Sequence, residues 1–153
     1  ATIWVRADDT RFDDDLMTLN GKEYKPIFVE GTGEAQLWQT NFPKASFLTM
    51  PQLTPIPDMF VAMKSKKGDA LISDAYTAQE FLKANPGSIK EIHPDEPLSI
   101  YPNVMMLPGG EYRFNQMINN AIRELQLDGT MVNILKKHDV EKFYSPVAVP
   151  YVQ

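Results

Sequence analysis

The stretch Ile27 to Leu37, IFVEGTGEAQL, sets Gly31, Thr32 and Gly33 between an apolar extended run and a run of good helix formers. A dinucleotide fingerprint needs a third glycine where Gln36 stands, and no Gly-Lys-Ser/Thr follows to make a phosphate loop. What remains is a helix N-terminus with free backbone N–H groups, two glycines that let a ligand approach the backbone, and a hydroxyl. That combination suits a small anion such as a carboxylate, and it equally suits a plain tight turn. Asp74 stands at the C-terminal end of the apolar run DALIS, at the edge where open α/β sheets bind ligands, and the same position suits a helix N-cap. Asp8, Asp9, Asp13, Asp14 and Asp15 lack the central glycine and terminal glutamate of a calcium loop, so a solvated helix start is expected there. His93 and His138 do not have zinc spacing, and no Gly-x-Ser-x-Gly elbow offers a serine nucleophile. No catalytic constellation, metal site or cofactor motif emerges, and the expectation is a binding protein rather than an enzyme.

The elements that must hold these residues follow from periodicity. Thr2 to Ala7, Lys25 to Val29, Ser46 to Met50, Asp69 to Ser73 and Ser88 to Ile92 are predicted strands. Asp13 to Leu19 is predicted as a short helix with its acids at the positive end of the dipole, ended by Asn20-Gly21. Helices are further expected from Glu34 to Asn41, around Met59, Phe60 and Met63 after Pro51, Pro55 and Pro57, and from Asp74 to Pro86-Gly87. Strands alternating with helices of this length indicate a three-layer αβα sandwich with a mostly parallel sheet.

The last third changes character. Ser99 to Leu107 reads as long and extended, and Gly109-Gly110 opens a helix. Phe114, Met117, Ile118, Ala121, Ile122 and Leu125 fall on one stripe of it, expected to be buried. Thr130 is expected to cap a second helix, with Lys136, Lys137 and His138 in its last turn, and the tail YSPVAVPYVQ to be a surface extension. The methionines at 50, 59, 63, 105, 106, 117 and 131 are expected as core filler.

Composition narrows the classes. The chain has 153 residues, 43% hydrophobic and 23% charged, which is ordinary for one globular domain with a sizeable core. A net charge of -5 without a basic cluster argues against nucleic acid as a partner. No apolar run approaches the roughly 20 residues of a spanning helix. The absence of cysteine excludes disulfides and thiolate chemistry.

Five segments carry a resemblance: DLMTLNGKEYKPIFVEGTGEAQL, FPKASF, KKGDALISDAYTAQEFL, PLSIYPNVMMLPGG and MINNAIRELQLDGTMVNILKKH. In this order the chain, from about Thr2 to Phe143, resembles the polar amino-acid-binding proteins of ABC importers, the family 3 type II periplasmic solute-binding proteins. The resemblance implies two lobes that clamp an amino acid, with Thr2 to Ala7 the outgoing hinge strand and Ile100 to Leu107 the returning one. It implies that Gly31, Thr32 and Gly33 receive the α-carboxylate and that Asp74 accepts the α-ammonium. In that family the first lobe precedes the outgoing hinge, so the expectation is a second lobe with both hinge strands over 1–107, its body about 8–98, and helices over 108–153 that would pack on a first lobe absent from this chain. Arg6, Arg11 and Arg113 do not occupy the first lobe's carboxylate-binding arginine motif. Further implied are the membrane subunits of an ABC transporter as partners, a homodimer through the uncovered surface, and a periplasmic or extracellular, membrane-associated location. A ligand-sensing receptor ectodomain and a cyclohexadienyl-dehydratase-like enzyme are the alternatives on the same fold.

Overall fold

The computed structural model describes residues 1–144; the tail YSPVAVPYVQ, expected as a surface extension, lies, but for Tyr144, outside the described residues. Two compact units are present, Ala1–Tyr101 and a second beginning at Pro102.

The first unit is a five-stranded sheet with helices on both faces. Its strands are β1 (Thr2–Arg6), β2 (Pro26–Val29), β3 (Leu48–Met50), β4 (Ala70–Ser73) and β5 (Ile89–Ile92), in the spatial order β3-β2-β4-β1-β5. Its helices are α1 (Gly33–Asn41), α2 (Ile56–Lys64) and α3 (Ala75–Ala84). β2 pairs in parallel with both β3 and β4, while β1 lies antiparallel between β4 and β5. Four strands therefore run one way and β1 alone runs against them.

Alternation along the strands explains the two cores. Ile3, Val5, Phe28, Ala70 and Ile72 point to the face covered by Trp38 of α1, by Phe42 at its C-cap and by Phe12 and Leu19. Trp4, Ile27, Val29 and Leu71 point to the other face, under Met59, Phe60 and Met63 of α2 and Ala78 and Phe81 of α3. A strand covered on both sides reads as a continuous apolar run, which is why PIFV and ALIS are buried throughout. Topology accounts for which helix goes where. The chain leaves β2 through α1 to β3 on one side, returns through α2 past β2 to β4, and continues through α3 past β1 to β5. Right-handed crossovers in opposite directions must lie on opposite faces, so α1 is separated from α2 and α3.

Several expectations are corrected. Asp13 to Leu19 is not an α-helix; a 3-10 turn at Leu16–Asn20 replaces it, because Asp15 accepts the Met17 N–H at 2.8 Å and caps a shorter element. Asp9 is not solvated: its side chain is only 3% exposed, between Arg6 and Arg11. Ser99 to Leu107 joins no ladder; only Leu98 N–H to Ala1 O at 3.1 Å and the Ala1 ammonium to Ser99 O at 2.5 Å tie the chain's return to the start of β1.

The second unit holds α4 (Tyr112–Leu127) and α5 (Thr130–Lys137), and neither buries a residue. The stripe on α4 is thus open rather than buried: Phe114, Met117 and Leu125 are exposed, Met117 to 58%. Met105 and Met106 are likewise no core filler, Met106 being 97% exposed, whereas Met59 and Met63 are buried as expected. Thr130 does not cap α5. Gly129 holds the cap position with φ 81°, and the Asp128 carboxylate accepts the Thr130 N–H at 2.8 Å.

Candidate functional site

β2 and β4 are neighbours, paired Pro26 to Ala70 and Ile27 to Leu71. Continuing that register carries the end of β2 opposite the end of β4, so the turn after Val29 and the residue after Ser73 lie at one edge of the sheet. The connections that follow diverge: α1 leads to β3 and α3 to β5, on opposite sides and opposite faces. This is the switch point of the topology, where open α/β sheets form a crevice outside the carboxyl ends of their strands.

The turn is built by Gly31, whose φ of 79° is costly for any residue with a Cβ. Thr32 follows as the N-cap of α1. Its hydroxyl donates to Val29 O at 2.9 Å and accepts from Ala35 N–H at 3.4 Å, so its proton already serves the turn. Gly33 and Glu34 occupy the first positions of α1, where a helix has no carbonyl for the N–H. Those two N–H groups, at the positive end of the dipole, are what the turn presents to an anion. Glu34, at the same place, favours the dipole and opposes an approaching anion.

Asp74 is the N-cap of α3. One carboxylate oxygen accepts Thr77 N–H at 2.8 Å and the other accepts the Thr77 hydroxyl at 2.7 Å. Both oxygens retain a lone pair, and the side chain is exposed and fixed in direction.

Two residues escaped sequence reasoning. Thr77 orients Asp74, and its position three residues past an N-cap was a legible signal. Tyr101 was not legible. Its hydroxyl lies 3.6 Å from where a Gly33 Cβ would stand, a contact that no sequence spacing between them announces. A shallow cleft of about 420 Å³ adjoins the turn, lined by Glu30, Gly31, Thr32, Gln36, Gln39 and Thr49 among others. It includes neither Gly33 nor Asp74, so it flanks the switch point instead of coinciding with it. Among the described residues no cluster of His, Asp or Glu could hold a metal ion, and no helix is long and apolar enough to cross a membrane.

No family model and no curated protein matches the sequence. Solved structures do. The chain is similar to a probable amino-acid ABC transporter extracellular-binding protein from Bacillus subtilis, with 19% identity and a TM-score of 0.72 over 93% of this chain and 60% of that one. An ancestral arginine-binding protein bound to glutamine matches with 23% identity and a TM-score of 0.69, over 94% of this chain and 58% of that one. An ancestral cyclohexadienyl dehydratase matches with 22% identity and a TM-score of 0.52, over 93% and 55% respectively. The fold is that of a periplasmic-binding-protein lobe, an αβα layer architecture. The 153 residues span between 55% and 60% of the length of these structures.

Proposed function

We propose that this chain supplies one wall of a binding site for a polar amino acid, in a periplasmic or extracellular protein that delivers it to the membrane subunits of an ABC importer. The observation that carries the proposal is the pairing of β2 with β4, which brings the turn after Val29 and the residue after Ser73 to one edge of the sheet; on this reading the N–H groups after Gly31 and the carboxylate of Asp74 would form two sides of one site. A zwitterion needs such separated partners. Its carboxylate would be received at Gly33 with Thr32 and Gly31 shaping the turn, and its ammonium at Asp74. Each charge-assisted hydrogen bond contributes about 1.5–3 kcal/mol where water is excluded, so a second wall closing over the crevice would supply most of the affinity.

On this reading residues 1–107 are a lobe with both hinge segments, supported by the meeting of Ala1 with Leu98 and Ser99, and 108–153 are the C-terminal helices and tail, the apolar face of α4 and α5 being covered by a further lobe or a second copy. The binding reading is preferred to catalysis because the edge offers partners for both charged ends of an amino acid. Turnover of prephenate or arogenate would overturn that preference.

The test is Asp74→Ala. With L-arginine or L-glutamine as the probe, the substitution is expected to abolish ligand-induced amide shifts at Thr32 and Gly33 while the circular dichroism spectrum stays that of a folded chain. Unchanged shifts at equal ligand concentration would remove Asp74 from the site.

A further inference from the structure

The segment after β5 returns to the start of β1, where the Ala1 ammonium donates to Ser99 O at 2.5 Å and Leu98 N–H donates to Ala1 O at 3.1 Å. Two residues beyond that anchor stands Tyr101, 47% exposed, with its hydroxyl over the backbone of Gly33. The approach is close because Gly33 has no side chain; a methyl group there would already be in van der Waals contact with the hydroxyl at 3.6 Å.

We infer that Tyr101 is a third donor to the ligand's carboxylate, its hydroxyl completing with the backbone of Gly33 the cradle at the end of β2. The inference deepens the proposed amino-acid site and rests on it. Three observations support the role. First, the hydroxyl lies 3.6 Å from where a Gly33 Cβ would stand, which puts it beside the first residue of α1, where the free N–H groups are. Second, the Ser99 side chain hydrogen-bonds the phenol and so helps to fix the position of its hydroxyl. Third, burial, and after it the Glu34 carboxylate, push the Tyr101 phenol up, which keeps it a donor at neutral pH. The arrangement also offsets an unfavourable feature of the site. Glu34 opposes an anion at the first turn of α1, and a neutral donor placed opposite compensates without adding a charge that would repel the ammonium.

Tyr101→Phe tests this, since it keeps the ring and removes only the hydroxyl. Amide shifts are followed as L-glutamine is added, and again as L-glutaminol, which lacks the carboxylate, is added. The expected result is that Tyr101→Phe weakens L-glutamine binding about fivefold, the order of one partly solvated hydrogen bond, and leaves L-glutaminol unaffected. Equal affinities of wild type and variant for L-glutamine, with shifts at Thr32 and Gly33 retained, would overturn the role of Tyr101 and leave the site standing. Equal loss for both ligands would also overturn it, by making the ring's packing the cause. No shift at Thr32 and Gly33 in the wild type would overturn the site and the role of Tyr101 together.

Discussion

Arg11 reaches Asp9 through two nitrogens, at 2.8 and 2.7 Å, and Asp69 through one, at 2.6 Å, while Arg6 spans Asp9 and the carbonyls of Met63 and Gly68. Every charge in this group has a partner, which is the condition under which a buried carboxylate is tolerated. Breaking it on one side is costly: Asp9→Asn should lower unfolding stability by about 3 kcal/mol, read from urea midpoints. The pH dependence follows from the sign. The Arg11 hydrogen bonds, against the opposing effect of burial, hold the Asp9 carboxyl below its ordinary value. Its contribution is therefore complete above the unfolded value of about 4 and is lost as pH falls through the lower folded one. The gap between wild type and Asp9→Asn should shrink as pH is lowered from about 6 to about 2; a constant gap would show that the charge is not what stabilises. The run of aspartates near the N-terminus concealed this, because the partner Asp69 is 58 residues from Arg11 and no local pattern links them. Gly31, Thr32 and Asp74 were legible because turn glycines and caps are local chemistry; Tyr101 was not, because its place depends on where the chain returns after β5.

The helices and strands of the first unit were legible from periodicity, since each strand buried on both faces is an apolar run and each helix begins at a cap or a proline. The direction of β1 was not. A single strand carries no mark of whether its neighbour runs with it or against it, and the antiparallel placing of Thr2–Arg6 appears only in its pairings with β4 and β5. The end of α5 shows the same limit on a smaller scale: Asp128 and Thr130 are both capping residues, and only the backbone at Gly129 decides between them. One element-scale constraint is sharp. Gly68, between α2 and β4, lies so close to β2 that an added Cβ would meet the Ile27 side chain and stand 2.8 Å from Lys25 O. Gly68→Ala should destabilise by about 1–3 kcal/mol through overpacking, measured by thermal or urea unfolding. A variant as stable as wild type would mean that β2 and the α2–β4 connection are not held at this distance.

At the scale of the molecule, two features decide what the chain can do. One is the open apolar face of α4 and α5, with Phe114, Met117, Leu125 and Ile134 exposed. Contiguous apolar faces of this kind associate, so light scattering should give a mass above 17.4 kDa at high protein concentration, reduced to the monomer by Met117→Glu. A monomeric wild type with both helices ordered would contradict this. The character of the face was legible as a stripe, but its exposure was expected only through the resemblance, because periodicity tells which residues share a side and not what covers them. The other feature is the switch point at the ends of β2 and β4, where the proposed site lies and on which the account depends. Titrating L-arginine and L-glutamine into the chain while following backbone amides tests it most directly. The account predicts that Gly31, Thr32, Gly33 and the α3 N-terminus after Asp74 shift together, with a dissociation constant no tighter than about 1 mM, equivalent to about -4.1 kcal/mol, because one wall leaves the charged contacts open to water. Micromolar binding to the monomer, or shifts confined to Gln36, Gln39 and Thr49, would contradict it.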